Sequence, residues 1–465
     1  MNRKYKTLIS NTAIFAISNT ISKIILSILL PLYTRTMTVE QYGTTELITT
    51  LSQLLYPTLS LAIQEATFRF AMGQDVDKHK VLKNSLYVIS MAAFCFVPVS
   101  YCFYYYKGIG EYWRYLYFFS VLSMVRSMLS LYVKGINKTL VFSIDTVVFN
   151  VILAAGNFVF LLLLHYEIQG YFYASYIALG CSILFLGWNS NIRTALYCQN
   201  DWQLLKEMLC YSAPLVLNSI SWGLTHVVDR LMLTNMMGAD ANGIYSAASK
   251  IPALLSLFVT VFSQAWTISL IRDYETERDV SFYSGVFQLT HVTCVFVSLT
   301  ILLFNNNAIA FILGNSFSDS VRYVPVLLMG ALFLTYSNYF SSFFSAAKKS
   351  NLNMYTSLAG ALFNVVFNYL LIPKAGIMGA CVATAGSYVF ISILRIFAGM
   401  RIQRINIDLA RFIISVVLVG ISAVSVVFRC YDTVIVIASI LICLGIYKEN
   451  VYEYVNKISA ILVRH

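Results

Sequence analysis

The chain has 465 residues, 58% hydrophobic and 11% charged, where soluble domains have roughly half and about a quarter. Its formal net charge is +11, but the basic residues nowhere reach the density of a nucleic-acid footprint, which removes nucleic acid as a partner. The apolar residues come in blocks of about 20, the length that crosses a hydrocarbon layer ~30 Å thick, so the chain reads as a polytopic membrane protein.

Arg3, Lys4 and Lys6 precede the first block, which Asn11, Ser18 and Asn19 interrupt and which has no small-residue cleavage site; it is expected to be a retained span. About fourteen spans are expected, at 11–33, 44–71, 84–106, 114–133, 141–164, 170–189, 208–236, 243–271, 283–304, 321–346, 352–372, 376–399, 411–428 and 432–447. All should be helices. Lipid leaves backbone groups unsatisfied in any open form, and the continuous apolar runs differ from the ~10-residue alternating strands of a membrane barrel. The nine cysteines form no C-x-x-C pair and read as small packing residues.

With the N-terminus in the cytoplasm, 20 of the 32 Lys and Arg residues fall on inside segments and 6 on outside ends. Lys23, Arg69, Arg126, Arg230, Lys250 and Arg395 remain within spans. This bias predicts cytoplasmic N- and C-termini and an even span count. The basic charge is thus mainly a topology signal.

A shift of 200 residues pairs Thr34 with Thr234, Glu40 with Asp240, Gly43 with Gly243, Ser60 with Thr260, Gln64 with Gln264 and Thr67 with Thr267. Both Gly43 and Gly243 fall in a short outer turn. Six spans separate the copies, so the halves are expected to be parallel repeats about an axis along the membrane normal. The expected organisation is a six-helix lobe over 1–207, a second over 208–404, and two appended helices with a tail over 405–465.

Spans 1, 2, 7 and 8 carry polar stripes: Asn19, Lys23 and Ser27; Glu46, Thr50, Gln53, Ser60, Gln64 and Thr67; Asn218, Ser221, Thr225 and Asp229; Ser246, Ser249, Lys250, Thr260, Gln264 and Thr267. Spacings of three and four place each set on one helical face. They line either a water-filled cavity or a dry interface of hydrogen-bonded helices. A charge at bilayer centre costs at least ~2.5 kcal/mol, so Lys23, Arg126 and Lys250 need a cavity or a partner. Lys23, Arg126, Lys250, Arg69, Gln64 and Gln264 are the candidate substrate-binding residues. Glu65 and Arg69 have the i, i+4 order of a structural ion pair, and Arg395 is expected to snorkel to the interface. Glu46, Glu65, Asp145 and Asp229 are the candidate coupling carboxylates for protons or sodium.

No enzyme signature is present. The five histidines form no metal pattern, and there is no phosphate loop or G-x-S-x-G. Segments outside the spans are each under about 20 residues, too short for a catalytic domain. No cofactor, metal or catalytic residue is expected.

Asn11-Thr12-Ala13, Leu29 to Arg35 (LLPLYTR), the Glu40-Gln41-Tyr42-Gly43 turn, Asp229-Arg230, Gly243 to Ile251 (GIYSAASKI), Leu371-Ile372-Pro373 and Gly376 to Ala380 (GIMGA) occur in this order. Over roughly residues 8 to 400 the chain resembles Wzx-type polysaccharide flippases of the multidrug/oligosaccharidyl-lipid/polysaccharide exporter superfamily. The resemblance implies a two-lobed, V-shaped bundle in the bacterial inner membrane. It further implies alternating-access transfer of an undecaprenyl-diphosphate-linked oligosaccharide to the outer leaflet, for O-antigen or other lipopolysaccharide-type surface polymers. A polysaccharide polymerase and a chain-length regulator would be partners, besides membrane lipid. In related peptidoglycan-precursor flippases, cations on helices 1, 2 and 8 line the cavity; Lys23 and Lys250 fit two of these, and Arg69 fits the third loosely. A multidrug cation exporter, a peptidoglycan-precursor flippase and a membrane polysaccharide polymerase are the rival readings.

Overall fold

The structure, a computed structural model, describes residues 18, 21–22, 24–73, 76–106, 108–253, 255, 266, 270, 279–305, 310–347, 349 and 351–448. Lys23 and Gln264, two of the candidate substrate-binding residues, lie outside the described residues. Among those described there is no β-strand.

The chain forms two compact units, Met1–Ser246 and Ala247–His465. The first contains α1 (Ile24–Thr36), α2 (Val39–Leu59), α3 (Ile63–Ala71), α4 (Lys78–Cys102), α5 (Trp113–Gly135), α6 (Thr139–Asn157), α7 (Glu167–Asn189), the short α8 (Ile192–Tyr197) and α9 (Trp202–Met237). Helix α10 spans 239–253 and begins in this unit. The second unit contains α11 (Val280–Leu303), the single turn α12 (Ala310–Leu313), α13 (Val324–Ala346), α14 (Asn351–Ile402), α15 (Leu409–Phe428) and α16 (Asp432–Ile446). The units part after Ser246, within α10, because α9 packs on α2, α3 and α4.

Eight of the described helices are long and apolar enough to cross a membrane. Helices α2 and α9 are less apolar because hydroxyl and amide side chains run along both, with Glu46 in one and Asp229 and Arg230 in the other. Their polar groups face protein: Glu46 and Asp229 are both buried. Conversely, Phe94, Leu184 and Phe397 are at least 69% exposed, as side chains facing hydrocarbon must be. The interior is stitched by hydroxyls, with Thr67 Oγ1 2.7 Å from Ser85 Oγ, Ser120 donating to Ser52 at 2.9 Å and Ser422 to Ser439 at 2.9 Å. Such interhelical bonds contribute about 0.6 kcal/mol each in membranes.

The expected second span, 44–71, is not one helix. Ser60 ends α2, Leu61 and Ala62 take left-handed φ of 51° and 50°, and α3 starts at Ile63. Pro57 lacks the N–H of a regular turn and its carbonyl is taken by Ala62 N–H at 2.7 Å, so the chain folds into a tight turn there. A left-handed non-glycine residue costs roughly 1–2 kcal/mol. Two in succession, inside a membrane segment, mark a break maintained by its surroundings.

The eleventh and twelfth spans form α14, interrupted at Gly376, where φ is 60° and ψ is −136°. Pro373 removes a helical donor just before it. The Leu-Ile-Pro and Gly-Ile-Met-Gly-Ala motifs are therefore the two sides of one turn.

In the second unit, His291 on α11 joins four elements. Its Nδ1 lies 2.7 Å from the Tyr336 hydroxyl on α13, and its Nε2 lies 2.8 Å from Ser415 Oγ on α15 and 3.1 Å from the Tyr447 hydroxyl after α16. The ring is buried and packs on Phe287 and Phe412.

Candidate functional site

Helices α2 and α10 start at equivalent points of the repeat, and they touch there. A Cβ on Gly43 would lie 2.0 Å from the Ala239 carbonyl oxygen, and a Cβ on Gly243 would lie 2.1 Å from that of Val39. The shift of 200 that maps Gly43 on Gly243 also maps Val39 on Ala239. Each glycine thus admits the backbone of the other copy, a contact with local two-fold character. Asn242 Nδ2 adds a bond to the Gly43 carbonyl at 2.7 Å.

One turn further along α2, Glu46 meets α9. Arg230 Nη1 donates to Glu46 Oε2 at 2.7 Å and to the Glu46 carbonyl at 3.3 Å. Both side chains are 12% exposed. On the adjacent residue, Asp229 accepts from the Tyr245 hydroxyl at 2.7 Å, which ties α9 to α10. Tyr33 and Tyr171 pack edge to face beside Tyr42, so the ion pair sits in a largely aromatic surround. Removing one partner of a buried pair costs about 3–5 kcal/mol, which makes this junction strong when closed and sensitive to neutralisation of Glu46.

A second cluster joins α5, α6 and α7. Arg126 Nη2 donates to Asp145 Oδ2 at 2.9 Å and Nε to Ser182 Oγ at 2.8 Å. Ser182 in turn donates to the other Asp145 oxygen, and the guanidinium stands 3.8 Å over the Phe149 ring. Asp145 matches the charge that made Arg126 a candidate for an anionic headgroup.

The second unit holds a counterpart that sequence reasoning missed. Arg395 is 2% exposed, far from snorkelling. Its Nε donates to Thr356 at 3.0 Å, Nη1 to Ser337 at 3.0 Å and Nη2 to Ser357 at 2.8 Å. Ser337 lies 211 residues after Arg126, Thr356 lies 211 after Asp145, and Arg395 lies 213 after Ser182. The same three helices of each repeat are therefore joined by an arginine, supplied by the first helix in one unit and the last in the other. Hydroxyls replace the carboxylate in the second unit. The matched offsets are the sequence signal that would have found it.

The other candidates are dispersed. Gln64 is buried beside the α2–α3 break and accepts from Ser60 Oγ at 2.9 Å. Lys250 is half-buried on α10. Glu65 and Arg69 are both exposed on α3, and no ion pair between them occurs among the described residues. The expected i, i+4 pair is thus corrected: the two side chains stand on the exposed face of α3, whose other face is buried, and an exposed pair gains little from closing.

These features define a polytopic all-α membrane protein in which the two repeat-opening helix pairs meet around buried charge. The chain belongs to the polysaccharide biosynthesis protein family, whose model matches residues 8–269, and the MatE family model matches residues 214–370. This places it in the flippase and exporter superfamily that its motifs resemble. It is 25% identical over 189 residues to the capsular polysaccharide biosynthesis protein CapF of Staphylococcus aureus, covering 40% of this chain and 48% of that one. An uncharacterized membrane protein of Methanocaldococcus jannaschii is 26% identical over 199 residues, 43% of this chain and 47% of its own length. The matched region spans about half the length of these curated relatives. Among solved structures, the lipid II flippase MurJ in an inward closed conformation superposes with a TM-score of 0.74 at 13% identity, over 94% of this chain and 99% of that one. An inward-facing multidrug resistance MATE family transporter gives 0.69 at 16% identity, over 82% and 94%. At these identities the likeness is one of fold.

Proposed function

We propose that this protein is a flippase that carries a lipid-diphosphate-linked oligosaccharide repeat unit from the cytoplasmic to the outer leaflet of the bacterial inner membrane by alternating access. The observation that carries the reading is the buried Glu46–Arg230 pair between α2 and α9, beside the Gly43–Gly243 contact. It closes the repeat-opening helices at the end that the Lys and Arg bias assigns to the outside, and a closure made of one ion pair can be undone. Family membership supplies the polysaccharide context. Lys23 and Lys250 remain the cations for the diphosphate, with Gln64 and Gln264 as polar partners, while Arg126 is held by Asp145. Glu46 is the coupling carboxylate of choice, because a proton or sodium ion on it would release Arg230. Outside these roles the chain needs no cofactor and catalyses no covalent step.

The test is reconstitution of the purified protein with a fluorescent lipid-diphosphate oligosaccharide, read by its exposure to a membrane-impermeant reagent under proton or sodium gradients. Protein-dependent translocation that drops at least tenfold in Lys23→Gln is the expected result. Cysteines placed at 46 and 230 should cross-link in the closed state, and Glu46→Gln should lower gradient-driven translocation at least tenfold. The MatE match over 214–370 favours a second reading, a multidrug cation exporter. Export of an organic cation by a preparation that leaves the lipid-linked sugar in place would establish that instead.

A further inference from the structure

At the end of the first unit where α5 and α7 begin there is a cavity of about 590 Å³, within the ~300–1,000 Å³ typical of ligand sites. Its walls include Tyr115, Tyr173 and Tyr176, and its polar groups are Glu111, Arg114 and Gln169. The aromatic wall is fixed. Tyr115 stacks on Phe172 with centroids 5.0 Å apart, Tyr176 lies nearly parallel to Tyr115 at 15°, and the Tyr176 hydroxyl donates to the Tyr115 carbonyl at 3.1 Å. Neither Glu111 nor Arg114 forms an ion pair with another described residue.

The chemistry of the lining selects the ligand. Glu111 and Arg114 cancel in net charge, so the lining favours neither a lone anion nor a lone cation. Together with Gln169 they offer acceptors, donors and both at once, the needs of a neutral molecule edged with hydroxyls. The flat ring faces carry negative π density, which suits the C–H face of a sugar ring. Interface-anchoring tyrosines in general sit at headgroup level as belts along the boundary; here the rings instead wall a concavity. The cavity also lies away from the unit's basic end, which carries Lys80, Lys83, Lys134 and Lys138.

We propose that this cavity is a carbohydrate subsite on the release face, one that takes the glycan of the translocated lipid as it emerges. The proposal rests on the flippase reading and adds a place where the sugar itself is recognised. The probe is the soluble oligosaccharide released by mild acid from the producing organism's lipid-linked precursors, titrated into the full-length purified protein by calorimetry. Saturable binding is expected, weakened at least tenfold in Glu111→Gln and in Tyr173→Ala, with unchanged thermal midpoints. Glycerophosphoethanolamine should not compete; competition by it would make the cavity a phospholipid headgroup site and overturn the proposal. So would absent binding, or binding indifferent to both substitutions, in a preparation that translocates the lipid-linked sugar. Binding intact in a preparation that translocates nothing would keep the subsite and remove the flippase reading.

Discussion

Arg126 and Arg395 occupy comparable places in their units and differ in what a substitution should do. Arg126→Met leaves Asp145 buried without its counter-charge and is expected to destabilise by about 3–5 kcal/mol. The double variant Arg126→Met/Asp145→Leu should recover most of that loss, since a buried pair is often replaceable by apolar residues of similar volume. Arg395→Met removes a charge that faces hydroxyls only, and Thr356 keeps a bond to the Leu352 carbonyl; its thermal midpoint in detergent should stay within a few degrees of wild type. Equal losses for both arginines would show that the hydroxyl cage is as demanding as the carboxylate. Asp201, outside the membrane at the start of α9, gives a pH-dependent case. The Leu204 N–H, then the Lys80 ammonium, hold its carboxyl below the usual 3.8. Its share of stability is therefore complete above the usual carboxylate range and fades as pH falls through the lowered value. Asp201→Asn should flatten the acid limb of a stability–pH curve by lowering its neutral region, and leave the strongly acid end little changed. At this scale the sequence was readable in part: it pointed to Arg126 and Asp145 as buried charge, but nothing local to Arg395 said that its neighbours from two other helices would be hydroxyls.

Elements show a similar division. The apolar blocks placed the starts and ends of most helices within a few residues, because a hydrocarbon layer demands length and composition alone. It could not show the break at Ser60–Ala62, since no glycine marks it and Leu61 and Ala62 are ordinary helix formers. The left-handed turn is imposed by packing. Ala62→Gly should therefore be neutral or stabilising by up to about 1 kcal/mol, whereas Ala62→Val, β-branched and at positive φ, should destabilise by more than that; thermal unfolding of the purified variants would decide it. Gly376 was named in the sequence only as part of a motif, and its φ of 60° gives the physical reason for the residue. At Gly43 the reason is space. Gly43→Ala must push back the carbonyl of residue 239, an overpacking cost of about 1–3 kcal/mol, and should lower the cross-link yield between cysteines at 46 and 230.

On the scale of the whole molecule, the repeat legible in eight identities over residues 11–70 and their partners reappears as geometry at Gly43 and Gly243 and again in the two arginine clusters. The offset rises from 200 near the start to 211–213 further on, so the second copy has gained residues between its first two helices and its fourth. The charge bias makes a separate prediction. In intact cells an impermeant maleimide should label a cysteine at 111 and spare one at 138, after the exposed native cysteines at 95, 102, 181, 210 and 430 are replaced. The reverse pattern would invert the topology and move the carbohydrate cavity to the entry side.

The bonds of His291 set an order of events during synthesis. Spans enter the membrane from N- to C-terminus, so α11 and α13 are in place while Ser415 and Tyr447 are still to be translated. Until α15 and α16 arrive, one ring nitrogen lacks its partners, at a cost of about 1–3 kcal/mol for an unsatisfied polar group. The second unit therefore reaches its final packing only at the close of translation, and a ribosome stalled near residue 404 would hold an unfinished bundle open to quality-control proteases.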